Sequence, residues 1–123
     1  YELFAQQVKN IKIETHNLLG ELKKKGAKIA AFGAAAKGNT FLNYCGIGKE
    51  YIDFVADSST AKQNLYLPGT RIPIVAPEKI RETRPDYIII LPWNLKKEIV
   101  DILAYTREWG CKFITFIPEV EVF

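Results

Sequence analysis

The chain has 123 residues, a formal net charge of +3, 48% hydrophobic residues and 25% charged residues. These values are typical of one soluble globular domain with its own core. They exclude the dense basic character of a dedicated nucleic-acid-binding protein, and no apolar run is long enough for a membrane span. We therefore expect no nucleic-acid partner and no membrane partner.

The two cysteines, Cys45 and Cys111, lie far apart and belong to no Cys-x-x-Cys or Cys/His cluster. The pattern predicts neither a metal site nor a disulfide framework, and reduced thiols suit the cytoplasm. The chain starts at Tyr1 and contains no methionine, which favours a piece of a longer protein.

Residues 1–26 have the apolar period of an amphipathic helix, with Gly26 placed to end it. We interpret this segment as a helix leading from a missing preceding domain, and residues 27–123 as a Rossmann-like domain. The single histidine, His16, has no visible catalytic partner and is expected to be structural. The predicted apolar stripe consists of Phe4, Val8, Ile11, Leu18 and Leu22.

From residue 27 onward, short apolar runs alternate with helical patterns. Helices are predicted to begin at Asn39 or Thr40, at Ala76, and at Leu95, the last continuing to Trp109. The alternation favours parallel βαβ units. We predict an α/β fold, a Rossmann-like three-layer sandwich whose sheet has about five mostly parallel strands in the order 3-2-1-4-5. The predicted strands cover residues 28–33, 51–56, 72–75, 87–91 and 112–117, and a tail or extra short strand follows.

Ligands of open α/β sheets bind above the carboxyl ends of the strands. Residues that follow the predicted strands are therefore candidates for substrate binding, whereas no catalytic triad, carboxylate pair or metal cluster is visible. The candidates are Gly33, Ala34, Ala35, Lys37, Gly38, Asn39, Asp57, Trp93, Asn94 and Glu98.

A dinucleotide fingerprint is half present in the turn after the first strand. Gly33 and Gly38 fit its first and third glycines, but Ala35 adds a methyl group where a pyrophosphate needs close approach. Asp57 lies where a ribose-binding acid belongs. A P-loop is excluded, because Asn39 and the following Thr replace its Lys-Ser/Thr pair. The turn predicts a nucleotide-like ligand, or simply tight packing of a strand on a helix.

Four further candidates each have two interpretations. Lys37 contacts an anion or is solvated. Trp93 stacks on a ligand ring or covers the core. Asn94 contacts a ligand or caps the following helix, and Glu98 reaches the crevice or complements the positive end of that helix.

Taken together, a set of ordered motifs resembles the C-terminal domain of the SAM-dependent C-methyltransferases that act on nucleotide-linked deoxysugars. The likeness covers the chain from Phe4 to Val122. The motifs are Gly33-Ala-Ala-Ala-Lys-Gly-Asn39, Asn43-Tyr-Cys-Gly-Ile47, Asp57, Lys62-Gln63, Tyr66-Leu-Pro-Gly-Thr70, Ile72-Pro-Ile74 and Leu91-Pro-Trp-Asn94.

The resemblance implies that a zinc-binding domain and a central SAM-binding methyltransferase domain precede this one. It also implies that the methyl group goes to a sugar carbon next to a keto group. This chain would face the central domain and help to hold a nucleotide diphosphate-sugar. No catalytic residue and no cofactor is expected on the chain itself, since SAM and structural zinc would belong to the upstream domains.

Two other functions remain open from the sequence. One is a regulatory module that binds a nucleotide of the NAD(P) or CoA type. The other is a structural domain that mediates oligomerisation.

Overall fold

The first helix, α1, spans Glu2–Lys24 in a computed structural model that describes residues 2–123, with side chains from Gln6 onward. Tyr1 and the side chain of Phe4 lie outside the described residues. The helix ends where Gly26 adopts a φ of 79° and Ala27 donates its N–H to the carbonyl of Leu22. This pattern satisfies the last carbonyls of the helix.

The sheet has six strands in the order β3-β2-β1-β4-β5-β6. The predicted Rossmann-like α/β fold and the order 3-2-1-4-5 are therefore confirmed, and the residues after 117 add a sixth strand that pairs antiparallel with β5. All other pairs are parallel. The strands are β1 (Ile29–Phe32), β2 (Val55–Ala56), β3 (Ile74–Val75), β4 (Tyr87–Ile90), β5 (Lys112–Thr115) and β6 (Glu121–Val122).

Helices cover both faces of the sheet, which gives the predicted three layers. Alternate residues of β4 serve opposite faces: Ile89 packs with Leu19 of α1 on one side, and Ile88 packs with Ile99 on the other. None of the helices in residues 2–123 is long and apolar enough to cross a bilayer. After α1, the helices are α2 (Ala36–Cys45), α3 (Glu78–Thr83) and α4 (Lys96–Ile102), with 3₁₀ turns at Trp93–Leu95 and Ala104–Trp109.

Helix α2 and strand β2 begin at residues other than those predicted. Helix α2 begins at Ala36, earlier than the predicted Asn39, whose N–H already bonds to the carbonyl of Ala35. The apolar residues Tyr51 and Ile52 are not strand, because both donate their N–H groups to the carbonyl of Gly48 in a turn. Ile52 is nevertheless fully buried, so its hydrophobicity reports burial and not strand geometry.

The helix predicted to run unbroken from Leu95 to Trp109 is interrupted at Leu103. The hydroxyl of the buried Thr106 donates a 2.7 Å hydrogen bond to the carbonyl of Leu103. Such bonds from Thr to the preceding turn compete with regular helix geometry. Ile102, an apolar residue of α4, is 61% exposed.

Candidate functional site

The turn between β1 and α2 is held against the end of β4. Gly33 has a φ of 89°, and a Cβ there would lie 2.6 Å from the Cδ of Pro92. A Cβ on Gly38 would lie 2.6 Å from the Cβ of Leu91. Gly33 and Gly38, the first and third glycines of the half fingerprint, therefore allow the turn and α2 to pack closely against the end of β4. This is the packing interpretation of the motif.

Asp57, predicted as a ribose-binding acid, uses its carboxylate within the protein. Its Oδ2 accepts the N–H of Ala34 at 2.7 Å, and its Oδ1 accepts the N–H of Ser59 at 2.8 Å. Hydrogen bonds to ionised groups are the stronger kind. The end of β2 is thereby fixed to the turn after β1.

Two more side chains join the same pair of loops. The Lys62 Nζ donates to the carbonyl of Ala34 at 3.0 Å, and the Gln63 amide donates to the carbonyl of Asp57 at 2.8 Å. Within the turn, the N–H groups of Gly33 and Ala35 also bond to protein carbonyls. The amides of residues 33–35 are therefore already used, unlike those of a phosphate-binding glycine loop.

Five of the predicted residues line one cavity of about 340 Å³, which we call the strand-end crevice. A second cavity of about 320 Å³ adjoins it, sharing Phe32, Ser58 and Ile102, and extends to Arg81 and Tyr105. This position above the carboxyl ends of the strands agrees with the predicted location. The predicted residues in the crevice are Gly33, Ala34, Ala35, Asp57 and Glu98, and Ser58, Lys62 and Leu95 lie beside them.

Lys37 and Trp93 belong to a different cavity on the other face of the sheet. This α1–α2 groove has a volume of about 480 Å³, and most of its lining is apolar. Trp93 is half-buried there, and Tyr44 is 49% exposed. The groove is lined by Val8, Ile11, Ala36, Lys37, Thr40, Phe41, Tyr44, Trp93 and Ile117.

At two places, consecutive residues of the chain line the crevice and the groove, which marks the boundary between the two cavities. Ala35 lines the crevice and Ala36 the groove, and likewise Pro92 lines the crevice and Trp93 the groove. The first turn of α2 stands at this boundary, with Lys37 exposed in it and no side chain capping its N–H groups. A helix N-terminus carries a partial positive charge, so the boundary favours an anion.

Gly38, Asn39 and Asn94, the other predicted residues, line neither cavity. Gly38 is buried. Asn39 accepts a hydrogen bond from Asn43 at 3.3 Å, and Asn43 also donates to the carbonyl of Pro68 at 3.0 Å. Two segments that carried the family resemblance, around Asn43 and Pro68, are thus in direct contact.

Asn94 does not cap the following helix. It lies exposed in the 3₁₀ turn, whereas Leu95 is the N-cap residue of α4 and makes no side-chain cap hydrogen bond. That interpretation of Asn94 is wrong, because the 3₁₀ turn inserts one more residue before α4 begins. Glu98 is in the first turn of α4 and also lines the crevice, so its position agrees with both interpretations.

His16 and the cysteines are occupied by the fold. The His16 Nε2 donates to the carbonyl of Cys45 at the end of α2. Cys45 and Cys111 are buried and unpaired, and burial raises the pKa of each thiol to about 11. No three His, Cys, Asp or Glu side chains come together within the described part of the chain. These residues therefore offer no ligand set for a structural zinc ion.

Val8 and Ile11 belong to the apolar stripe predicted for α1, and Phe41 and Tyr44 are not among the candidate binding residues predicted from the sequence. The most buried part of α1 lies instead along Thr15, Leu19 and Leu22. The apolar stripe of α1 is therefore wider than its core contact, and its N-terminal part is left to line the groove. An apolar stripe in a sequence does not distinguish these two uses.

Comparison with known proteins gives the family. A model described as the C-methyltransferase C-terminal domain matches residues 1–118. The chain is 37% identical to the C-methyltransferase NovU of Streptomyces niveus over 122 residues, which is 99% of this chain and 29% of that protein. The two matches agree with each other and cover nearly every residue described above. The chain belongs to the C-methyltransferase C-terminal domain family.

Proposed function

We propose that this chain is the substrate-holding domain of a SAM-dependent methyltransferase that places a methyl group on a carbon of a nucleotide-linked deoxysugar. In this proposal the chain binds the nucleotide diphosphate-sugar and has no activity by itself. The 37% identity to a C-methyltransferase over 99% of the chain supports the reaction class.

The single observation that carries the choice of ligand is the position of Lys37. It lies in the uncapped first turn of α2 and lines the apolar groove, and Ala35, two residues earlier, lines the crevice with its polar groups. A nucleotide diphosphate-sugar has a planar base at one end, a polyhydroxylated ring at the other and two negative phosphates between them. A lysine beside a helix N-terminus is suited to the diphosphate.

The methyl donor, the general base and structural zinc belong, in this proposal, to other parts of the protein. The chain spans 29% of the length of the relative it matches, which leaves room for such domains there. The described residues contain no zinc ligand set, and we assign no step of the reaction to them. Unpaired, buried cysteines agree with a protein of the cytoplasm.

One alternative is a module that binds NAD(P) or CoA. The hydrogen bond from Ala34 to Asp57 weighs against it, because that amide is already donated to a carboxylate of the protein. The methyl group of Ala35 weighs against it too. The other alternative is a structural oligomerisation domain, and the experiment below distinguishes all three.

The proposal is tested by calorimetric titration of the chain with thymidine diphosphate glucose (dTDP-glucose), NAD⁺ and coenzyme A. We expect dTDP-glucose to bind with a dissociation constant in the millimolar range or tighter, and the other two not to bind. Binding of NAD⁺ or CoA would support the regulatory module. No binding of any of the three, together with a dimer in analytical ultracentrifugation, would support the oligomerisation domain.

A further inference from the structure

We infer the orientation of the substrate on the chain: its nucleoside lies in the α1–α2 groove and its sugar lies in the strand-end crevice. This inference rests on the proposed function and adds to it the orientation of the ligand. It follows from the difference in chemistry between two cavities that meet at the first turn of α2.

The groove has the walls that a nucleobase needs. Val8, Ile11 and Ile117 are aliphatic, and Trp93 and Tyr44 contribute aromatic rings. Bases bind by stacking on such rings in a way that tolerates different bases. A volume of about 480 Å³ is within the range of small-molecule sites.

The indole N–H groups of the two tryptophans differ in their hydrogen bonding. The indole N–H of Trp109 donates to the carbonyl of Pro85 at 2.9 Å. Within residues 2–123 the structure gives no protein acceptor for the indole N–H of Trp93. Trp93 is half-buried and lines the groove, so its indole N–H can donate to a ligand, and the carbonyl of a pyrimidine base is a suitable acceptor.

The charge around the groove fits a ligand that ends in phosphates. Among the described residues that line the groove, Lys37 is the charged one. A second lysine, Lys12, lies with its Nζ 5.2 Å from the centre of the Tyr44 ring at the same wall. Both lysines attract a negative charge, so we place the diphosphate near Lys37.

The crevice has the groups that a sugar needs. Ser58 and Glu98 line it and present donors and acceptors for hydroxyl groups. Asp57 and Lys62 also line it, and beyond their hydrogen bonds within the protein they keep further lone pairs and N–H groups for a ligand. Its volume of about 340 Å³ is smaller than that of the groove. Both properties favour the sugar over the base at this end.

The reversed orientation would place the base in the crevice or in the adjoining cavity, where Phe32 and Tyr105 are the aromatic residues. The Tyr105 ring is already covered, because the Arg81 guanidinium lies 3.8 Å from its centre. The Trp109 ring meets it edge-on, with centroids 6.0 Å apart. A base would have to displace this close cation–π contact to stack on Tyr105. In the groove the Lys12 Nζ lies farther from the Tyr44 ring, at 5.2 Å, and Trp93 offers a second ring.

The test is ¹⁵N–¹H NMR of the chain with three probes in turn: thymidine diphosphate (dTDP), dTDP-glucose and glucose 1-phosphate. We expect dTDP to shift the Trp93 indole resonance and the amides of Ala36, Lys37 and Tyr44. We expect dTDP-glucose to shift these and, in addition, the amides of Ala34 and Ser58. The indole of Trp109 serves as the internal control and should not move.

Two variants give a second measurement. Trp93→Leu should weaken the binding of dTDP by roughly tenfold or more, as expected for loss of base stacking. Glu98→Gln should leave dTDP binding within twofold and weaken dTDP-glucose. The Trp109 indole shift and the unfolding midpoint report whether each variant is folded.

Shifts by dTDP that are confined to the crevice would overturn the inferred direction and leave the proposed function standing. If the groove resonances stay unchanged while the crevice responds to dTDP-glucose, the inference also fails. In that case ultracentrifugation of the chain, and the same spectra on the longer protein, show whether a second copy or another domain covers the groove. If no probe shifts any resonance at millimolar concentration, both the inference and the proposed function are wrong.

Discussion

The carboxylate of Asp57 accepts the backbone N–H of Ala34 at 2.7 Å, across 23 residues of sequence. This bond joins the turn after β1 to the end of β2, two neighbouring strands of the sheet. It uses a turn amide that a dinucleotide-binding loop keeps for its ligand. Hydrogen bonds within the protein therefore occupy the amide of this turn, and the position that favours an anion is the first turn of α2.

Replacing Asp57 by Asn should destabilise the fold. An Asn amide offers one acceptor oxygen, whereas the carboxylate serves the N–H groups of both Ala34 and Ser59. Hydrogen bonds to charged groups contribute about 1.5–3 kcal/mol, and we expect the free energy of unfolding in urea to fall by about that amount.

Asp53→Asn is the matched control. That carboxylate lies 3.8 Å from Lys23 and its side chain is 53% exposed, so its loss should cost less than about 1 kcal/mol. Equal effects of the two substitutions would mean that the Asp57 hydrogen bonds contribute no more than an exposed ion pair.

Adding a methyl group at Gly38 should push α2 away from the sheet. The new Cβ would lie 2.6 Å from the Cβ of Leu91 and 3.1 Å from its carbonyl oxygen. Overpacking of this kind costs about 1–3 kcal/mol, measured as a lower free energy of unfolding for Gly38→Ala. Gly20→Ala in α1 is the control: nothing lies within 4 Å of its Cβ, so it should stabilise the helix by about 0.5–1 kcal/mol. A stabilising effect of Gly38→Ala would contradict the close packing.

Asn43 and Gly69 should show strong energetic coupling. Gly69 has a φ of 86°, and a Cβ on it would overlap the carboxamide of Asn43. Gly69→Ala alone therefore suffers both backbone strain and the overlap, whereas in an Asn43→Ala background only the strain remains. A double-mutant cycle in urea should show that the cost of Gly69→Ala falls by at least 0.5 kcal/mol in that background. Additive effects would show that the two residues do not press on each other.

The two cysteines should react slowly in the folded chain. Burial raises the pKa of Cys45 and of Cys111 from 9.0 to about 11, and only the thiolate reacts. At pH 8 this shift alone predicts a reaction with a disulfide reagent roughly 100-fold slower than in urea-unfolded chain. A native rate equal to the unfolded rate would contradict the burial of both thiols.

The same shifts give a sign for the dependence of stability on pH. Well below pH 9 the thiols are neutral in both states and contribute no pH dependence. As the pH approaches and passes 9 the unfolded thiols ionise while the folded ones stay neutral up to about pH 11, so stability falls as the pH rises through this range.

The fold could be predicted because the alternation of apolar runs and helical patterns admits few topologies. Its local boundaries could not. The break at Leu103 depends on where the hydroxyl of Thr106 points, and the turn at Tyr51–Ile52 depends on the carbonyl of Gly48. Both boundaries are determined by local hydrogen bonds, which the pattern of apolar residues in a sequence does not reveal.

For the candidate site, the sequence indicated which residues follow each strand but not which face of the sheet each one meets. Asp57 and Glu98 were therefore grouped with Lys37 and Trp93, although two separate cavities receive them. The contribution of α1 to the groove was missed because Val8 and Ile11 are distant in sequence from Trp93. Such non-local packing has no signal in a single sequence.

The most direct test of the account is the dissociation constant of dTDP-glucose for the wild-type chain and for Lys37→Ala. Lys97→Ala is the control, because Lys97 is an exposed lysine of α4 that lines none of the cavities described. The account predicts that Lys37→Ala weakens binding by roughly tenfold or more, as loss of a charge-assisted contact implies. It also predicts that Lys97→Ala leaves binding unchanged and that neither variant alters the unfolding midpoint. Equal affinities for Lys37→Ala and Lys97→Ala would contradict the central claim that the diphosphate lies at the first turn of α2.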